Sequence, residues 1–440
     1  MRAILLVVTS VLLVASVDAQ SISQKKDVAV FRLGFYDLNV PANALGRLDS
    51  QIEDVFINLG RFNIIGMSYR LSEDDVTHFI DKLKELKTSQ AAIPESFNLG
   101  KEAFTEADLN RLAGSFLIVV PILDSYSLHY QQSTGYTAEL DTSFTFISAQ
   151  TTAAIAHFSI RTIGTGIDPE AAVADASSAV PVQLQFQIRS IPEFQLKTGI
   201  VDVEGTTVLI QFGRNMGVRP GDDYAIVSSR ILPSGLTVTD QTGLLTVKEV
   251  QDQVSYAKVI YSKERPRVGD QLKELPRMGF ESTFYFHELI GTDLLGFSQI
   301  VSPVATAGVI ETVTRGFYNF RPLIGAELPF LPSPSLEASV YGTGGLPVNL
   351  FIGGELNWRV WRIDIVPLAA VGIGGLVPLS SGNSFEISLG GGFVQLGASY
   401  LVSPQVKLFV DLGFAKWFPV STAGLGYEGA YGGVGIAVNY

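Results

Sequence analysis

Cysteine is absent from this 440-residue chain, which excludes a disulfide framework and a lipid attached through an N-terminal cysteine. Histidine is scarce: His78, His129, His157 and His287 lie far apart, without the i, i+4 spacing or clustering that a metal site needs. Positive charge is also in deficit, with 31 Lys and Arg against 43 Asp and Glu and a net charge of −12. That balance leaves no basic footprint for nucleic acid. Although 47% of the residues are hydrophobic, no run after the N-terminus reaches the roughly 18 apolar residues of a membrane-crossing helix. Gly-x-Ser-x-Gly elbows, P-loops and EF-hand loops are missing too, and with them the local signatures of hydrolase, nucleotide and calcium sites. No catalytic residue, metal or cofactor is therefore expected, and the protein reads as a non-enzyme.

What is present is alternation. In the last thirteen residues, Val434, Ile436, Val438 and Tyr440 share one face, and Tyr431, Gly433, Gly435, Ala437 and Asn439 the other. This is the two-residue period of a strand, at a length that fits the roughly 9–11 residues of a tilted bilayer-crossing strand. Residues 276 to 440 are expected to form an antiparallel transmembrane barrel of about eight strands. They begin near Phe280, Phe320, Leu336, Val348, Trp361, Phe385, Val406 and Glu428, with a bulge near Gly390 to Gly392. Aliphatic rows should face lipid, where an Arg or Lys costs about 2–4 kcal/mol. The opposite rows carry Arg321, Glu327, Glu337, Glu355, Arg362, Asp364, Lys407 and Asp411. These eight are expected to form a salt-bridge network that fills the lumen, an ion path being the competing reading. Trp358, Trp361 and Trp417 are expected in an interfacial girdle, and residues 291 to 316 in a long outer loop. The segment resembles the eight-stranded barrels of the outer-membrane protein A and X type. The aromatic Tyr440 resembles the signal by which bacterial outer-membrane barrels are recognised, which implies the barrel assembly machinery as a partner.

Ahead of the barrel the pattern changes twice. Residues 1 to 19 read as a signal peptide cut between Ala19 and Gln20: Arg2, an apolar run, then Val17-Asp18-Ala19. Residues 20 to 194 read as an α/β domain. Val28, Val30, Phe31 and Leu33 make a strand, Leu45, Leu48, Ile52, Val55 and Phe56 recur at helical spacing, and Ser72, Thr105 and Asp168 sit as helix caps. The order strand, helix, "GRFNII" strand, two capped helices and "FLIVV" strand resembles the periplasmic domain of the curli secretion lipoprotein and TolB N-terminal-like domains. The lipidated cysteine of that family is missing, and residues 87 to 101 are an insert. Residues 195 to 275 hold short strands punctuated by glycine turns, among them Gly221-Asp222 and Gly269-Asp270. Asp222-Asp223 reads as a solvated turn. The set resembles the small C-terminal β-barrel domain of flagellar assembly protein T, which implies an SH3-like barrel that binds protein partners in the periplasm.

The expected fold is thus an α+β periplasmic region followed by a transmembrane β-barrel in the cell outer membrane. The expected function is to anchor a scaffold that binds an unidentified periplasmic protein, in envelope, flagellar or fibre assembly. A transport or secretion channel and a surface adhesin are the alternatives. Lipid is the other expected partner, and homo-oligomerisation is left open.

Overall fold

The computed structural model describes residues 22–35, 40–88, 96–99, 102–131, 135–295, 297–301, 304–378, 385–420 and 425–440. The expected signal segment with Ala19 and Gln20 lies outside them. Most of the rest is β-structure in three large sheets, with a small hairpin of Ser96–Leu99 and Glu102–Thr105 beside them.

The first sheet centres on Lys26–Arg32, which pairs in parallel with Phe62–Arg70 on one side and Leu117–Gln131 on the other. Gly135–Ser148 and Ala154–Gly166 extend it antiparallel. The central strand is buried on both faces, so its apolar run does not alternate with polar residues. Val28 and Val30 face helices Ala42–Asn58 and Pro169–Ser190, while Ala29 and Phe31 face helices Glu73–Thr88 and Glu106–Gly114. Local chemistry starts two of these helices. Thr105 and Asp108 form a reciprocal capping box, and Asp168 accepts from the Ala171 amide ahead of Pro169.

The second sheet is a closed six-stranded barrel built from Lys197–Glu204, Thr207–Ile210, Asp223–Ile231, Thr237–Val250, Ser255–Ser262 and Gln271–Leu275. Ile200, Val208, Ile210, Tyr224, Leu245 and Val247 fill it.

The third sheet is the large barrel, of eight antiparallel strands: Phe280–Leu295, Val304–Val313, Phe320–Phe330, Gly345–Leu356, Ile363–Pro378, Glu386–Leu401, Val406–Pro419 and Gly426–Asn439. Each pairs with the next, and the last closes on the first, Ser282 opposite Val438 and Phe286 opposite Val434. The expected strand count holds, but through two compensating errors. The strand expected over Leu336, Ala338 and Val340 is the helix Pro334–Val340, capped by Ser333, whose hydroxyl accepts from the Leu336 amide. Leu336 and Val340 are four residues apart, a spacing that fits a helical face as well as a strand face. The missing strand, Val304–Val313, lies inside the expected outer loop. Its outward row Ala305, Ala307, Val309 and Glu311 and its inward row Val304, Thr306, Gly308, Ile310 and Thr312 each mix apolar with small or polar residues, so alternation is masked. The bulge is displaced as well. Gly374 pairs with Leu389 and Gly375 with Ile387, which leaves Ser388 as the extra residue.

The units meet closely. Gly217 of the small barrel has φ +73°, and a Cβ there would lie 2.0 Å from the Leu59 carbonyl oxygen of the first unit. Gly217→Val should therefore destabilise this seam by about 1–3 kcal/mol. The expected result is a lower unfolding midpoint and faster proteolysis between Ser190 and Lys197, with the large barrel's SDS mobility unchanged.

Candidate functional site: the barrel lumen and its mouth

The outside of the large barrel is aliphatic. Ile324, Ile352, Val371, Val394, Leu396, Val410, Leu412 and Val434 all project outward and are exposed. Trp358 and Trp361 are exposed at the mouth of the large barrel, the end beside the small barrel. Trp417 is not part of a girdle: it follows the inward parity of Lys407, Asp411 and Ala415 and is 0% exposed.

Six of the eight charged residues expected inside are buried there: Arg321, Glu327, Glu355, Asp364, Lys407 and Asp411. They form two layers. In the layer nearer the mouth, Lys407 Nζ stands 2.5 Å from Glu281 Oε2 and 3.0 Å from Asp364 Oδ2. Arg359 grips Asp364 with two N–H groups, Nη2 at 2.7 Å from Oδ2, and Arg321 pairs with Glu355 at 3.5 Å. A cavity of about 50 Å³ beside Glu281, Thr283, Glu355 and Lys407 has room for a few waters.

In the far layer Glu327 accepts from Tyr285 at 3.1 Å and from Asn349 at 2.9 Å. Asn349 in turn bonds Tyr427 and Tyr341. His287 is stacked between Tyr285 and Tyr431, centroids 4.2 and 4.5 Å away, with Nε2 3.1 Å from Asp411 Oδ2. Gly433 makes this possible, since a Cβ on it would lie 2.1 Å from the His287 ring. Val340, Tyr341 and the partly buried Leu336, from the short helix, pack with Trp417 at the far end. Apolar, aromatic and ionic side chains together fill the interior.

Two expected lumen residues lie elsewhere. Glu337 is carried by the helix Pro334–Val340 and forms no ion pair among the described residues. Arg362 is turned out at the mouth: it donates to the Leu401 carbonyl at 3.0 Å and stacks over Tyr261 of the small barrel at 4.0 Å. The cause is local. Trp361 has φ +56°, which interrupts strand alternation just before Arg362.

The polar chain continues past the mouth. Arg359 Nη1 reaches Thr246 Oγ1 of the small barrel at 3.3 Å, and that hydroxyl donates to Asp223 at 2.6 Å. Asp223 also accepts from Arg277 Nε at 2.7 Å, and the Arg277 carbonyl accepts from Arg189 Nη1 at 3.1 Å. Arg189 ends the helix Pro169–Ser190, is 1% exposed, and bonds Glu274 at 2.6 Å and Asp222 at 2.9 Å. Glu274 takes two further bonds from Arg61, at 2.7 and 3.2 Å, and Asp222 one from Arg315 at 2.8 Å. Asp222 and Asp223 are therefore a buried ionic hub, not a solvated turn. Burial alone would raise the Glu274 pKa, but the Arg61 and Arg189 guanidiniums and the Leu196 amide outweigh it and hold the carboxyl far below the usual range. Asp222 is lowered in the same way by Arg189 and Arg315 against its own burial.

No family model matches this sequence, and no curated protein does. Among solved structures the chain is similar to Neisserial surface protein A at 11% identity, over 37% of this chain and 97% of that one, with a TM-score of 0.27. It is similar to lipoprotein GNA1162 from Neisseria meningitidis at 11% identity, over 36% and 97%, TM-score 0.22. TolB from Acinetobacter baumannii is matched at 10% identity over 94% and 95%, TM-score 0.16. Likeness at this level assigns neither a family nor an activity.

Sequence reasoning missed Arg61, Arg189, Glu274, Glu281 and Arg359. Two of them left a trace. Glu274 shares the buried face of its strand with Leu272, and Glu281 the inward face with Tyr285. The arginines left none, because they sit in a turn, at a helix end and in a hairpin. Glu274→Ala should cost about 3–5 kcal/mol at neutral pH, since it leaves Arg61 and Arg189 buried without their carboxylate; chemical denaturation of the full protein measures it. The depressed pKa of Glu274 also sets a pH dependence. Its contribution is complete above the unfolded glutamate pKa of about 4.3 and is lost as pH falls towards the folded value. Between pH 7 and 3 the wild-type stability should therefore fall more steeply than that of Glu274→Gln.

Proposed function

We propose that this protein is an outer-membrane barrel with a filled lumen, which anchors a rigid periplasmic scaffold that binds protein partners in envelope, flagellar or fibre assembly. The observation that carries this reading is the unbroken chain of ion pairs and hydrogen bonds from Lys407 in the lumen to Arg61 in the first unit. A conduit needs an open path and movable charges, whereas here each charge in the chain is held by a partner. An anchor needs what is found: an aliphatic exterior and a stiff join at one end.

The connections support the orientation. Those at the mouth are short, Val313 to Phe320, Leu356 to Ile363 and Leu401 to Val406, while those at the far end include the helix-bearing Phe330 to Gly345. Short periplasmic turns and longer outer loops are the habit of outer-membrane barrels. The mouth and both soluble units then lie on the periplasmic side, and partner contact falls to the first unit and the small barrel, without catalysis.

The test is purification of the mature protein in detergent, SDS mobility before and after boiling, and single-channel recording in planar bilayers. A heat-modifiable barrel with no steady conductance is the expected result, followed by periplasmic partners in crosslinking. Large, reproducible conductance would overturn the filled-lumen anchor, and solubility without detergent would overturn the membrane reading.

A further inference from the structure

One outward carboxylate lies beside an apolar groove in the barrel wall. Glu311, on the strand Val304–Val313, follows the outward parity of Ala305, Ala307 and Val309. It stands opposite Ser282, close to the mouth. Its two oxygens each receive one hydroxyl, Oε2 from Ser282 and Oε1 from Tyr440 at 2.6 Å, and the two hydroxyl oxygens lie 3.1 Å apart. Among the described residues no cation pairs with it. Other exterior charges sit differently: Lys416 is matched by Glu428, and Glu288 lies further along the first strand, beyond Phe284 and Phe286. Two hydroxyls orient the Glu311 carboxylate without neutralising it, and an oriented, unneutralised carboxylate at an apolar surface calls for a cationic donor.

An open groove of about 840 Å³ begins at Glu311 and runs away from the mouth across four strands. Ile324, Leu350 and Ile352 wall it, and Gly325, Ala326 and Gly372 form its floor. Its volume falls within the roughly 300–1,000 Å³ of ligand sites, and its lining is almost wholly apolar. Carboxylate and groove together have the shape of an amphiphile's two ends: a cation at the level of the barrel's rim and a hydrocarbon chain along the wall.

We infer that Glu311 and this groove form a binding site for a phospholipid with a primary ammonium headgroup, the ammonium on Glu311 and an acyl chain in the groove. The inference rests on the membrane reading above. The chemistry discriminates among headgroups. A primary ammonium has three N–H donors for the carboxylate, a trimethylated one has none, and an anionic glycerol headgroup is repelled.

The test is native mass spectrometry of the full protein in detergent, offered equal amounts of phosphatidylethanolamine, phosphatidylcholine and phosphatidylglycerol. The wild type should retain phosphatidylethanolamine about tenfold over the other two, and Glu311→Gln should lose that preference. Ala326→Trp keeps the acid but fills the floor, and should lose retention as well. Equal retention of all three lipids by the wild type, or an unchanged preference in Glu311→Gln, overturns the site. Heat-modifiable SDS mobility, measured on the same samples, separates the two readings. A folded barrel without lipid preference rejects this site alone, and a wild type that needs no detergent rejects both.

Discussion

Buried charge is stable only when it is paired, and at the mouth of this barrel that requirement sets the arrangement of the whole chain. Glu274, Arg189, Arg61, Asp222, Asp223, Asp364 and Lys407 are each almost fully removed from water. Breaking a pair of this kind strands an ion in a medium that solvates it poorly, at a cost of several kcal/mol. Because the partners come from three separate units, the first unit through Arg61 and Arg189 and the two barrels through Glu274 and Asp364, pulling any unit away unpairs charges in the others. The ionic chain is therefore a positional constraint more than a source of net stability. It selects one relative placement of the units and penalises the alternatives.

The interior of the large barrel obeys the same rule at closer quarters. Eight strands leave a lumen only wide enough for side chains, so the inward rows must fill it and satisfy one another. They do so in layers: ion pairs near the mouth, an Asn349, Glu327 and tyrosine cluster further in, and an apolar cap with Trp417 at the far end. Glycines on the last strand admit the stacked His287. The outward rows have no such obligation and are mostly aliphatic, with a few charges, Glu288, Glu311, Lys416 and Glu428, towards the strand ends. A polar interior inside an apolar exterior inverts a soluble protein, which is the pattern of a barrel whose outer wall faces lipid.

Several features were legible in the residues because they depend only on local periodicity or local chemistry. The strand rows from Val406 onward, the capping motifs at Thr105 and Asp168, and the inward charges Arg321, Glu355, Asp364, Lys407 and Asp411 are all of this kind. The two misassigned elements share one cause. Pro334–Val340 and Val304–Val313 are short or lightly patterned segments in which helix, loop and strand are nearly degenerate, and packing chose between them. Trp417 shows the same limit at one residue, since its inward parity was readable but its resemblance to an interfacial tryptophan was stronger.

What the sequence by itself determined is the presence of a strand-built barrel and which faces of most strands would be polar, because side-chain alternation is a property of the strand alone. Tertiary structure decided everything that joins elements distant along the chain. It turned Asp222 and Asp223 from a surface turn into a buried hub, moved Arg362 from lumen to mouth, and brought Arg61 to Glu274 across 213 positions. An ion pair leaves no pattern in the residues around either partner, so only the folded chain shows which charges are paired and that Glu311 is held by two hydroxyls.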